Sequence, residues 1–251
     1  MTSFQALLLD IKGTTSSVAF VKEILYAYCI ENVECFLHEN FNRPEVMLAI
    51  DELRIASNQE CQSDNNVSIV SNDDDDEKII IEKLVHNVQY WISSDKKLMP
   101  LKHLRGIMLK NAYENDKMKG HVYPDVKAVV ERLSATIPIY TYSSEPVLAQ
   151  KLLFSHSTDG DITPLLSGYF DNSIGFKFDS DSYRKIASEM GVPPESILFL
   201  TDSEREARAA RAAGCEVRVV VRQGNEAPSD AAKQDFQLIS SFNEILSLFN
   251  S

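Results

Sequence analysis

The stretch ALLLDIKGTTSS, from Ala6 to Ser17, decides how the rest of the chain is read. An apolar run, Leu7 to Leu9, delivers a single carboxylate, Asp10, to its end, and a loop of glycine and hydroxyl residues follows at once. Short, wholly apolar runs bounded by turn residues are the pattern of strands buried on both faces of a parallel sheet. Small side chains and hydroxyls beside a carboxylate suit a phosphate ester. Two residues past Asp10, where many such loops carry a second carboxylate, this chain has Lys12.

Beyond the loop, Val21, Ile24, Leu25, Tyr28, Phe36 and Leu37 recur at helical spacing and predict a long amphipathic helix. Further helical patterns run through Ile80, Ile81, Leu84, Val88, Trp91 and Ile92, and through Leu101, Leu104, Ile107 and Met108. The polar stretch NQECQSDNNVSIVSNDDDDEK before the second of these patterns holds an acidic run and little that could form a core. It predicts a mobile surface loop near residues 62–77.

From Tyr123 the texture changes to β-like runs separated by helical patterns, the mark of parallel βαβ units. TIPIYTYSS reads as a strand ending in hydroxyls, PVLAQKLLFSH as a helix, and DSDSYRKIASEMG as a helix with a glycine stop. SILFLTD reads as a strand ending in a carboxylate, EREARAARAAG as a helix, and CEVRVVV as one more strand. The fold class is therefore α/β. A sheet core of residues 1–19 and 119–251 is interrupted by a helical insertion, residues 20–118, that is a candidate lid.

With 37 acidic against 25 basic residues in 251, the formal charge of -12 repels nucleic acid and anionic membranes. No apolar run approaches the roughly 20 residues of a membrane span, and the N-terminus lacks a basic region. Cys29, Cys35, Cys61 and Cys215 are scattered without a CxxC pair, as expected of reduced cytosolic thiols. Small-molecule chemistry is favoured.

Ligands of open parallel sheets bind beyond the carboxyl ends of the strands, so the residues that terminate apolar runs are the ones to collect. These are Asp10, the pair Ser143 and Ser144, Lys177 in SIGFKFDSD, and Asp202. Together they form a phosphoryl-transfer set: a carboxylate nucleophile, donors for phosphate oxygens, a lysine for charge, and a second carboxylate for a metal. Taken singly, each has a plainer reading. Asp10 reads as a turn residue, Ser143, Ser144 and Asp202 as helix caps, and Lys177 as a solvated lysine.

DIKGTT, YTYSS, GFKFDSDSYRKIA and ILFLTDSEREA resemble the four motifs of haloacid dehalogenase-like phosphatases. AFVKEILYAY, AQKLLFSHSTDGDI, SYRKIASEMG and VVVRQGN resemble the enolase-phosphatases of methionine salvage, and the likeness covers nearly the whole chain. The resemblance implies a Rossmann-like core with an inserted helical cap and a monomeric enzyme of the cytoplasm and nucleus, with one Mg2+ per subunit. It implies a substrate, 2,3-diketo-5-(methylthio)pentyl 1-phosphate, that is enolised and then dephosphorylated to an acireductone. By the same resemblance Asp10 is the nucleophile and a metal ligand, Asp202 the second metal carboxylate, and Ser143, Ser144 and Lys177 bind substrate.

Lys12 departs from the pattern, because the family has glutamate at this catalytic position. The Lys12 carbonyl can still meet the metal, whereas its side chain cannot do a carboxylate's work. An ammonium near neutrality is a ready acid and a poor base, and losing a positioned acid-base group costs about 10²- to 10⁴-fold. A second reading follows: an impaired homologue that binds magnesium and a phosphate ligand without efficient turnover. A generalist phosphatase is a further alternative, because fold does not fix substrate. A response-regulator receiver is set aside, since its phosphorylated aspartate would not lie on the first strand before a large insertion.

Overall fold

A computed structural model describes residues 4–71 and 76–249. The chain divides into two compact units, Met1–Val21 with Met118–Ser251, and Lys22–Lys117. Strand β1 (Ala6–Leu9) is buried along its whole length, as its unbroken apolar composition requires.

The second unit consists of α1 (Ala27–Asn40), α2 (Pro44–Glu60), α3 (Glu77–Ser93) and α4 (Met99–Glu114). Val33, Leu37, Leu53, Trp91 and Leu104 are fully buried at its centre. Three expectations change here. The long first helix opens with a π-helical stretch, Phe20–Tyr26, before α1. Its wider turn shifts the helical phase, so Ile24 is half exposed and the buried stripe is Cys29, Val33, Phe36 and Leu37. Helix α2 was not anticipated, although Val46, Ala49, Ile50, Leu53 and Ala56 recur at helical spacing behind Pro44, a favourable first-turn residue.

The third change concerns the polar stretch expected to be a mobile surface loop. Val67 and Val70 are buried in the helical core, so this segment does contribute to it. Buried Asn87 on α3 accepts the Ser68 N–H at 2.7 Å and donates to the Ser68 carbonyl at 2.8 Å. Tyr90 donates to Asp64 at 2.8 Å. A few β-branched residues and two side-chain anchors outweigh the polar composition that suggested a free loop. Residues 72–75, an asparagine and three aspartates, lie outside the described residues, and Asp76 next to them caps α3 by accepting from the Lys78 N–H.

The first unit continues through α5 (Pro124–Ser134), β2 (Ile139–Tyr142), α6 (Val147–Ser155), β3 (Gly168–Phe170), α7 (Ser180–Met190) and β4 (Ile197–Thr201). It ends with α8 (Glu204–Ala213), β5 (Glu216–Val220), α9 (Asp230–Asp235) and β6 (Gln237–Ile239). The strands form one parallel sheet in the order β3-β2-β1-β4-β5-β6. Strands β3 and β6 were not expected; each has only three residues at a sheet edge, too few to show a period.

Leu7 stands opposite Ile139 on one side and Leu198 on the other, so β1 is central and the strand order reverses across it. Such a switch point opens a crevice beyond the carboxyl ends of β1 and its neighbours. Beneath one face of the sheet, Tyr183 of α7 packs edge-on to Tyr142 at 5.5 Å and against Phe199 at 5.2 Å. Among the described residues no helix is long and apolar enough to cross a membrane.

Candidate active site

Asp10 follows β1 directly, and its N–H donates to the Leu200 carbonyl at 2.9 Å, which extends the pairing with β4 by one residue. The carboxylate is buried, and its Oδ2 accepts from the Thr14 hydroxyl at 2.9 Å. The loop turns sharply because the Ile11 carbonyl accepts from three amides, those of Thr14, Thr15 and Ser16, at 2.8–3.2 Å. Gly13 is required in this turn. Its φ is +85°, and a Cβ there would stand 2.0 Å from Asp202 Oδ2.

Lys177 does not end a strand. It sits on the loop between β3 and α7, where Tyr183 donates to its carbonyl at 2.6 Å and Tyr142 donates to the Gly175 carbonyl at 2.9 Å. These two buried rings fix the loop, and the lysine turns inward from it. Its ammonium pairs with Asp10 Oδ1 and, at 2.7 Å, with Glu206 Oε2, so the reading as a solvated lysine is overturned.

The capping readings change as well. Pro146 stands at the N-terminus of α6 without a side-chain cap, and the Val147 N–H goes to Asp171 Oδ2 at 3.1 Å. Ser143, buried beyond β2, accepts instead from the Glu145 N–H at 3.1 Å, and Ser144 beside it is exposed. Ser203, not Asp202, caps α8 by accepting from the Glu206 N–H. Asp202 is left facing the site.

Glu206 is the site residue that sequence reasoning missed. Ser203 with Glu206 three residues on has the form of a capping box, which accounts for the glutamate without any site. In the fold its carboxylate turns to Lys177 and to the Thr201 hydroxyl, which donates at 2.8 Å. Asp10, Lys12, Val18, Ser143, Ser144, Lys177, Asp202 and Glu206 line one pocket of about 210 Å³. Lys12 reaches it from an exposed position, with no ion pair to a described residue.

The electrostatics show an unbalanced site. Burial lowers the Lys177 pKa, but the Asp10 and Glu206 carboxylates more than offset this and hold it above the ordinary lysine value. Burial and then the negative charges of Asp10 and Glu206 raise Asp202 to about 8. Glu206 is raised by burial and Asp10, against the opposing effect of Lys177. Three carboxylates thus surround one buried ammonium.

That excess of negative charge, with the Asp10 and Asp202 carboxylates lining one pocket, has the donor chemistry that suits a hard divalent cation completing its shell with water. Glu206 is engaged by Lys177 and Thr201, and among the described residues no cluster of three His, Cys, Asp or Glu side chains forms a cage. A closed structural zinc site is therefore not what these residues build.

The raised Asp202 predicts a pH dependence whose sign is fixed by linkage. Between its ordinary value near 4 and about 8, the folded, metal-free protein binds a proton that the unfolded chain does not. The stability this group contributes is full below the ordinary value and is lost as pH rises through about 8. The metal-free melting temperature should fall between pH 6 and pH 8.5, while added divalent cation should stabilise the protein increasingly over the same interval. Thermal melts with and without MgCl2 at several pH values measure this; cation stabilisation independent of pH would show that Asp202 is already ionised.

Comparison with known proteins gives three results. A model of the haloacid dehalogenase-like hydrolase family matches residues 4–214. The chain is 46% identical over 244 residues to the Caenorhabditis elegans protein named enolase-phosphatase E1, covering 97% of each, and 42% identical to that of Xenopus tropicalis, covering 95% of this chain and 93% of the other. The crystal structure of the UTR4 protein of Saccharomyces cerevisiae superposes with a TM-score of 0.75 at 27% identity, covering 96% of this chain and 99% of that one.

Proposed function

Because the chain belongs to the haloacid dehalogenase-like hydrolases and, within them, to the enolase-phosphatases, we propose that its pocket performs magnesium-dependent phosphoryl transfer in methionine salvage. The substrate is 2,3-diketo-5-(methylthio)pentyl 1-phosphate, and the products are inorganic phosphate and the acireductone 1,2-dihydroxy-3-keto-5-methylthiopentene. The observation that carries the reading is Asp10, buried at the end of the central strand and held by Thr14 on one oxygen and Lys177 on the other.

Asp10 attacks phosphorus, the bond from phosphorus to the substrate oxygen breaks, and the phosphoryl group passes to the carboxylate. Water then releases phosphate and restores Asp10. Lys177 offsets the charge of the phosphoryl oxygens as they approach the carboxylate, and Ser143 and Ser144 supply hydroxyl and backbone donors to them. Asp10, Asp202 and the Lys12 carbonyl would hold one Mg2+. Magnesium would neutralise developing charge on the phosphoryl group and polarise a substrate carbonyl for enolisation.

The test is phosphate release from the diketone phosphate by the whole protein, with Mg2+ and with EDTA, beside a panel of sugar phosphates. Turnover of the diketone phosphate that EDTA abolishes is the expected result. Turnover of sugar phosphates and none of the diketone phosphate would refute the substrate assignment and leave a generalist phosphatase.

A further inference from the structure

Beyond β5 the chain turns through Arg222, Gln223, Gly224 and Asn225, and two side chains of this turn reach the loop after β1. Asn225 Nδ2 donates to the Gly13 carbonyl at 2.8 Å, and Arg222 Nε donates to the Thr14 carbonyl at 3.3 Å. Arg222 is heavily anchored elsewhere. Its Nη1 donates to Asp125 at 3.0 Å and to the Ser240 carbonyl at 3.1 Å, and its guanidinium lies 4.2 Å from the Tyr123 ring centre. Asn225 has no comparable second duty: its amide nitrogen goes to Gly13, and its Oδ1 is buried without a hydrogen-bond partner among the described residues.

The clamped segment adjoins every group assigned to the cation. The Lys12 carbonyl belongs to the peptide that enters Gly13. The Gly13 α-carbon lies so close to Asp202 that a Cβ would overlap its carboxylate, and the Thr14 hydroxyl holds Asp10. Glycine is the residue with the most conformational freedom, so a carbonyl at this position needs an external partner to stay in place. A small rotation of Gly13 would alter the Lys12 oxygen, Asp10 and Asp202 relative to one another.

We propose that Asn225 is a positioning residue that sets the spacing of the cation's donor oxygens by holding the Gly13 carbonyl, an inference that rests on reading this pocket as a magnesium site. Magnesium demands near-octahedral geometry at about 2.0–2.1 Å, so it responds to small donor shifts. Removing an outer partner of a metal ligand typically costs about 10- to 100-fold in affinity.

The experiment is calorimetric titration of the substrate-free whole protein with MgCl2, for the wild type, Asn225→Ala and Asn225→Asp. Both variants should bind Mg2+ about 10- to 100-fold more weakly, with kcat recovering at saturating Mg2+ to within about threefold. The aspartate variant keeps the shape of asparagine should the alanine variant fold poorly, and it separates position from charge. Added negative charge alone would tighten Mg2+, whereas loss of the donor to Gly13 loosens it.

Wild-type binding matched within twofold by Asn225→Ala would overturn the clamp, as would tighter binding by Asn225→Asp. A wild type that takes up no Mg2+ would overturn the metal reading of the pocket, and the role of Asn225 with it.

Discussion

Asp10→Asn should lower phosphate release by at least about 10⁴-fold, because an amide cannot take the phosphoryl group and removal of a nucleophile costs about this much or more. The substitution is nearly isosteric in a site where Thr14 holds one oxygen and Lys177 the other. Lys177 retains Glu206 as a partner, so no buried ammonium is stranded. The fold should survive, and the metal-free protein should lose little stability, since one of the like charges that raise Asp202 has gone. Phosphate release and thermal melts on the same preparation measure the two effects. Residual turnover above about 1% would place the nucleophile elsewhere and leave Asp10 as a cation ligand alone.

Lys12→Glu is expected to act in the opposite direction, raising phosphate release by about 10²- to 10⁴-fold. The wild-type side chain lines the pocket from an exposed position without an ion pair to a described residue, so a shorter carboxylate can replace it with no loss of packing. The gain should lie mainly in hydrolysis of the aspartyl-phosphate, where a base must activate water. An enolate leaving group is stable enough to depart with little help from an acid. Phosphate release by the two proteins, side by side with magnesium and the diketone phosphate, decides the matter. Equal rates would mean that water or another group already serves in place of the carboxylate. An inert parent with an active variant would mean an intact site in which Lys12 has switched the chemistry off, and would favour the reading as a ligand-binding homologue.

Much of the core was legible from local pattern. β1, β2, β4 and β5 are apolar runs long enough to declare themselves, and α6, α7 and α8 carry the spacing and terminal residues of helices. Buried parallel strands have no polar face, so an unbroken apolar run is sufficient signal. The short edge strands β3 and β6 show no such run, because their place in the sheet comes from pairing with β2 and β5. Val67 and Val70 were equally hidden, since two valines in a polar stretch acquire a partner only when Asn87 and Tyr90 fix the chain around them.

The sequence by itself determined which chemical groups end the central strands, because a strand's terminus is a local property: Asp10 directly follows an apolar run, and Asp202 follows one after a single threonine. It also determined that Lys12 stands where a carboxylate would be useful. Only the tertiary structure decided that Lys177 is buried against Asp10, that Glu206 faces inward rather than closing a capping box, and that Asn225 reaches Gly13 from 212 residues away. The physical reason is the same in each case. Charge pairing and hydrogen bonding act through space over a few ångströms, so a residue's role depends on which loops the sheet brings together, and no local pattern encodes that distance.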